Sequence, residues 1–233
     1  MPLVIFDCDG VLVDSERLVV DIDVLAVRQL GWEITRDEVI ELFVGKSESD
    51  MRREIEKRIG RRLSDDWDAA WQAEYQRVLG ADLEPVPGVV EAVRGVQRLG
   101  LATCVASSGS HAKMERTLAK TGLWDAFAGR IFSATEVEHG KPAPDLFLHA
   151  AERMRCPAAQ CVVIEDSRYG VEGARAAGMA VVGYAGGITP RSHLDAADRV
   201  ITDMAELPGV VTDLLGERSL SPGPEDSDRG RGV

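Results

Sequence analysis

Short apolar runs that are continuous, not alternating, constrain this chain more than any other feature. They fall at residues 3–6, 101–106, 131–132, 161–164 and 180–183, with a weaker sixth at 199–201. A strand with one wet face alternates apolar and polar residues, whereas a strand covered on both faces does not. From residue 88 onward these runs alternate with helical patterns at 88–99, 110–120, 144–154 and 169–177. That rhythm predicts βαβ units and an α/β fold built on a doubly wound parallel sheet.

Residues 15–84 break the rhythm. Leu18, Ile22, Leu25 and Ala26 recur at helical spacing, and further helical stretches are expected at 36–43, 48–59 and 65–79, punctuated by Gly31, Gly60 and Gly80. The stretch reads as an all-helical block inserted after the first strand. It closes at Pro85-Val86-Pro87-Gly88, a hinge. The expected organisation is therefore one domain from 1–14 and 88–216 and a second from 15–87. Residues 217–233 are rich in Ser, Pro, Gly and charge, and are expected to be a disordered tail.

In open α/β sheets, ligands bind beyond the carboxyl ends of the strands, so the residues just past each run carry the most information about function. The first run leads into Asp7-Cys8-Asp9-Gly10 and the second into Ser107-Ser108-Gly109. The third is followed by a loop carrying Lys141-Pro142, and the fourth leads into Glu165-Asp166-Ser167. Asp7 and Asp9, two apart, are expected to share a face. With Asp166 near, these carboxylates repel unless a cation lies between them, and Mg2+ suits such hard oxygen ligands best. Ser107, Ser108 and the amides of the helix after them suit a bound phosphate, with Ser108 or Ser110 also capping that helix. Lys141, stiffened by Pro142 and Pro144, is suited to hold a phosphate oxygen. Read one at a time, Asp7 and Asp9 could simply end a strand, and Lys141 could be a solvated loop lysine.

The chain holds 27 Lys and Arg against 39 Asp and Glu, a net charge of −12. Such a surface argues against nucleic acid as a partner. An acidic protein that handles phosphates must gather positive charge locally, through a metal, a lysine and backbone amides. No apolar run reaches 18 residues and no basic segment precedes the first run, so neither a membrane span nor a signal peptide is expected. Cys8, Cys104, Cys156 and Cys161 form no CxxC pair, and are expected as buried free thiols in a cytoplasmic protein.

These residues, in this order, resemble the haloacid dehalogenase superfamily. The likeness rests on Phe6-Asp7-Cys8-Asp9-Gly10-Val11-Leu12-Val13-Asp14-Ser15-Glu16, on Ala106-Ser107-Ser108-Gly109, on Gly140-Lys141-Pro142-Ala143-Pro144-Asp145, and on Val163-Ile164-Glu165-Asp166-Ser167 with Gly170. It implies a Rossmann-like core and a small α-helical cap of the β-phosphoglucomutase and sugar-phosphate phosphatase subgroup. It implies Asp7 as nucleophile, forming an aspartyl-phosphate, and Asp9 as the acid and then the base. It further implies Mg2+ held by Asp7, the Asp9 carbonyl and Asp166, with Glu165 direct or through water, and Ser107 and Lys141 on the phosphoryl group. The cap loop at Gly45, Lys46 and Ser47 would set specificity.

Asp9 argues against the dehalogenases and phosphonate-cleaving members of the resembled family, which lack a second aspartate there. Val19, Val44 and Glu48 stand where the mutases carry histidine, lysine and arginine, so a phosphatase is favoured over a sugar phosphomutase. The expected substrate is a small phosphorylated metabolite, a sugar or sugar-acid phosphate, handled by a monomer or weak dimer. A non-catalytic phospho-receiver module also places acids and a lysine at a parallel sheet edge, but has no 70-residue helical insertion.

Overall fold

The computed structural model describes residues 1–220. In chain order its elements are β1 (Leu3–Phe6), α1 (Glu16–Arg28), α2 (Arg36–Phe43), α3 (Glu48–Ile59), α4 (Asp65–Asp82), α5 (Val89–Arg98), β2 (Ala102–Ser107), α6 (His111–Lys120), α7 (Trp124–Phe127), β3 (Ile131–Ser133), α8 (Asp145–Arg153), β4 (Cys161–Glu165), α9 (Arg168–Ala176), β5 (Ala180–Tyr184), β6 (Arg199–Ile201) and α10 (Leu207–Leu220).

Every apolar run becomes a strand of one parallel sheet, ordered β3-β2-β1-β4-β5-β6. The continuous runs follow from coverage on both faces. Val4 and Phe6 join the cluster under α5, α6 and α10, while Leu3 and Ile5 join the one under α8 and α9. β1 is central: Phe6 pairs with Val105 on one side and Ile164 on the other. The connections reverse direction between β1 and β4, so Asp7 and Glu165-Asp166 emerge side by side at the crevice where such sheets bind ligands.

α1 to α4 form a separate helical layer with its own core, including Val20, Val27, Ile34, Val39, Phe43, Ile55 and Leu63. Caps place its helices: Thr35 and Glu38 make a capping box at α2, and Ser47 and Ser64 accept from Asp50 N and Trp67 N at α3 and α4. The chain leaves the sheet and returns to it along one narrow ribbon. Asp14 N donates to Glu84 O at 3.0 Å, Val86 N donates to Leu12 O at 3.1 Å, and Val13 bridges Pro85 antiparallel.

Two expectations need correction. α4 runs through Gly80 to Asp82 instead of ending at 79. A glycine inside a helix costs only about 1 kcal/mol, which packing of Leu79 and Leu83 against the sheet-layer core outweighs. α10 carries residues 217–220, which were expected in the disordered tail. The rest of that tail, 221–233, lies outside the described residues. Cys8, Cys104, Cys156 and Cys161 are all free and buried. Among the described residues no helix is long and apolar enough to cross a membrane.

Candidate active site

Asp7 follows the central strand, and its N–H donates to Ile164 O at 3.0 Å. Lys141 Nζ donates to Asp7 Oδ1 at 2.7 Å and to Glu165 Oε1 at 2.6 Å. All three side chains are buried, at 1%, 6% and 0% exposure for Lys141, Asp7 and Glu165. Asp7, Glu165 and Asp166 each bring a carboxylate oxygen within 4.8 Å of the others. Burial pushes the Asp7 carboxyl up to about 7 against the pull of Lys141. Burial, with Glu165 beside it, drives Asp166 well above the ordinary carboxylate range. Burial works against the Lys141 ammonium, but Asp7 and Glu165 outweigh it and keep the lysine charged.

One ammonium among three buried carboxyls leaves the charge uncompensated. Asp166 Oδ2 is buried and has no hydrogen-bond partner. An all-oxygen donor set with an orphaned carboxylate oxygen suits a hard divalent cation. The backbone is shaped around that oxygen. Gly10 has φ +75°, and a Cβ there would lie 1.9 Å from Asp166 Oδ2. Glu165 is different, because both its oxygens are already engaged: Oε1 by Lys141, and Oε2 by Ser167 N at 3.1 Å and Ser167 Oγ at 2.9 Å. It orients the lysine that touches Asp7.

Asp9 does not turn its carboxylate toward this group. The strand ends at Phe6, so strand alternation does not govern Asp9. Ser15 Oγ donates to its Oδ1 at 2.6 Å, and Lys113 Nζ donates to Oδ2 at 2.8 Å. Burial would raise Asp9, but Lys113 and Ser15 outweigh it and hold the carboxyl below its ordinary value. Nothing in the strand-end pattern singles out Lys113. Its signal was available by counting: it is the third residue of the helix that Ser110 caps, and a first-turn side chain leans back toward the strand ends.

Ser107 is buried, and its Oγ accepts from Gly109 N at 3.1 Å. Ser108 donates its hydroxyl to Gly45 O at 2.9 Å and so ties the loop between α2 and α3 to the sheet. Gly45 and Lys46 line a cavity of about 50 Å³ together with Asp7, Asp9, Ser107 and Lys113. Ser47 caps α3 and lines a neighbouring cavity of about 390 Å³. Lys46 Nζ sits 4.6 Å from the centre of the Tyr169 ring. The structure thus brings Asp7, Lys141, Glu165 and Asp166 into one cluster, and sets Asp9, Ser107, Gly45 and Lys46 around the small cavity beside it.

Known proteins resemble this chain in sequence and in fold. The sequence pattern of the haloacid dehalogenase-like hydrolases matches residues 1–178. The chain is 28% identical over 179 residues to the 6-phosphogluconate phosphatase of Escherichia coli K12, covering 76% of this chain and 80% of that protein. It is 33% identical over 205 residues to the SUPPRESSOR OF QUENCHING 1 protein, chloroplastic, of Arabidopsis thaliana, where 86% of this chain spans only 19% of the relative. Among solved structures, the haloacid dehalogenase-like protein ATU0790 of Agrobacterium tumefaciens superposes with a TM-score of 0.76 at 33% identity, over 92% of this chain and 99% of that one. Pattern, fold and strand-end chemistry agree, and the chain belongs to the haloacid dehalogenase-like hydrolase family.

Proposed function

We propose that this protein is a Mg2+-dependent phosphatase that hydrolyses a small phosphorylated metabolite, of the sugar or sugar-acid phosphate class, through an aspartyl-phosphate on Asp7. One observation carries the reading: three buried carboxyls cluster at the sheet's switch point, two of them on a single lysine, and an oxygen of the third, Asp166, is unpartnered. Asp7, Asp166 and the Asp9 carbonyl would hold the cation, which supplies charge neutralisation for the phosphoryl oxygens.

The chain's own residues supply the rest. An Asp7 carboxylate oxygen forms a bond to phosphorus as the bond to the leaving alkoxide breaks. Asp9, protonated, gives that oxygen its proton. Asp9, then a carboxylate, takes a proton from water, whose oxygen attacks the phosphoryl group and frees Asp7. The Lys113 pair favours the base form of Asp9, so its acid role requires Asp9 to take up a proton from solvent as substrate binds. Lys141 and Ser107 face the same end of the sheet and suit the transferring oxygens. The helical block 15–87 serves as a cap, with Gly45, Lys46 and Ser47 on its contact loop. Glu48 lines the small cavity beside Lys46 and would repel a second phosphate, which favours hydrolysis over mutase chemistry. The name of the Escherichia coli relative, a 6-phosphogluconate phosphatase, supports the substrate class.

Phosphate release from acetyl phosphate and a panel of metabolite phosphates, with Mg2+ and with excess EDTA, tests this. Turnover should require Mg2+ and fall by on the order of 10⁴-fold or more in Asp7→Asn. Activity that survives EDTA, or survives in Asp7→Asn, overturns it.

A further inference from the structure

Charge joins the helical layer to the sheet layer at the last turn of α2. Glu41 stands there, and the sheet layer takes both of its carboxylate oxygens. Arg168 Nη1 lies 2.7 Å from Oε1, and His193 Nε2 lies 2.8 Å from Oε2. The Tyr169 hydroxyl donates to the Glu41 backbone carbonyl at 3.3 Å. Among the described residues, the other ion pair between the layers, Arg17 with Asp14, lies in the ribbon itself.

Helix stability does not account for Glu41. The helix dipole favours a base in the last turn and opposes an acid, yet α2 carries no base there. Exposed ion pairs also contribute little to folding, and the Glu41 and Arg168 side chains are 41% and 40% exposed. The partners, in contrast, are fixed to the strand ends. Arg168 and Tyr169 open α9 directly after Glu165-Asp166-Ser167, with Ser167 as the cap. His193 sits in the short turn Arg191–Leu194 after β5, which the fully buried Leu194 pins to the sheet. Ile188, from the same stretch, packs against the core of the helical layer. Just beyond Glu41, α2 ends at Phe43 and the chain enters the loop with Gly45 and Lys46. Tyr169 serves both sides of that step, because its ring carries Lys46 Nζ while its hydroxyl holds Glu41.

From this geometry we infer that Glu41 is a positioning residue for the reaction: it clamps the end of α2 to α9 and to the turn after β5, and so seats Lys46 beside Asp7. This rests on the phosphatase reading, in which the loop at Gly45, Lys46 and Ser47 meets the substrate. Glu41 lines neither cavity, so it acts through the share of molecules in which the loop is seated. Apparent affinity for substrate falls in proportion to that share.

The test is a double-mutant cycle on KM, with Mg2+, run on 6-phosphogluconate or acetyl phosphate, whichever the wild type cleaves. Glu41→Ala should raise KM about threefold or more while kcat changes less than about twofold. Glu41→Gln, which still accepts from Arg168, should fall between the two. In a Lys46→Ala background Glu41→Ala should add less than about twofold, because the clamp then has no ammonium to place. Alanine suits a helix end at least as well as the acid does, so the melting temperature should not fall. An unchanged KM, an additive cycle, or a loss of stability that accounts for the loss of affinity overturns the inference. Spin labels on Lys57→Cys and Glu152→Cys, exposed sites on the two layers, read the clamp without turnover, since the native cysteines are buried. Double electron–electron resonance should show longer and broader distances in Glu41→Ala; identical distances also overturn the inference. If the wild type cleaves neither compound, the phosphatase reading has failed, and the distances alone judge the clamp.

Discussion

A single buried carboxyl can tie stability to pH, and Asp23 is placed to do so. Its folded value, about 7, lies above its ordinary 3.8, so between those limits the folded chain holds a proton that the unfolded chain has released. The contribution of Asp23 to stability is then highest below about pH 4, falls as pH rises toward 7, and levels off above. Every tenfold difference in proton affinity between the folded and unfolded chain is worth about 1.4 kcal/mol. Asp23→Asn keeps an acceptor for Tyr75 and removes the charge, so it should melt higher than wild type at pH 8 and match it near pH 4. Urea or thermal melts at the two pH values check this; a uniform loss of stability would mean that the carboxylate serves the fold. At this scale the sequence was partly legible. Asp7, Lys141, Glu165 and Asp166 stand out because each directly follows a strand or sits in a proline-framed loop. Asp23, Tyr75 and Lys113 lie within helices, and their roles depend on how those helices dock, which spacing alone does not encode.

Elements were more legible than contacts. The apolar runs mark all six strands to within a residue or so, because burial on both faces leaves no freedom in their composition. Helix ends were sharp where a Ser or Thr cap precedes them, as at α2 and α3, and were missed where a helix carries on through glycine, as in α4. The loop between α2 and α3 depends on a glycine for a different reason. Gly45 has φ +84°, and a Cβ there would lie 2.2 Å from Ser167 Oγ, while its carbonyl accepts from Ser108. Gly45→Ala should therefore push the loop off the strand ends. The expected result is a KM raised about tenfold or more with a melting temperature lowered by only about 2–8 °C, since the strain is about 1–2 kcal/mol and the loop lies outside both sheet-layer cores. Steady-state kinetics alongside a thermal melt would show it; an unchanged KM would mean that the contact with Ser167 is dispensable.

Across the whole molecule, the uncompensated acids link metal binding to folding. A cation that binds only the folded chain adds about 2.7 kcal/mol at a hundredfold excess over its Kd. For a chain of this size that corresponds to a rise of about 5–10 °C in Tm. Mg2+ should produce such a rise, and Asp166→Asn, which removes the orphaned charge, should abolish it. Differential scanning fluorimetry with and without Mg2+ decides the matter; an undiminished rise in Asp166→Asn would place the ion elsewhere. The net charge of −12 excludes a broadly basic surface, but it did not reveal that Lys46, Lys113 and Lys141 gather near the strand ends, because that clustering is a product of strand order and of how the helices dock.

The ribbon at residues 12–14 and 84–86 has a consequence for how such a protein diversifies. Because departure and return run side by side, the intervening seventy or so residues form a cassette joined at one seam. Exchanging the cassette leaves β1 flanked by β2 and β4, and leaves Lys141 on Asp7. New selectivity can be spliced in at that seam as long as Ser15, which holds Asp9, is kept.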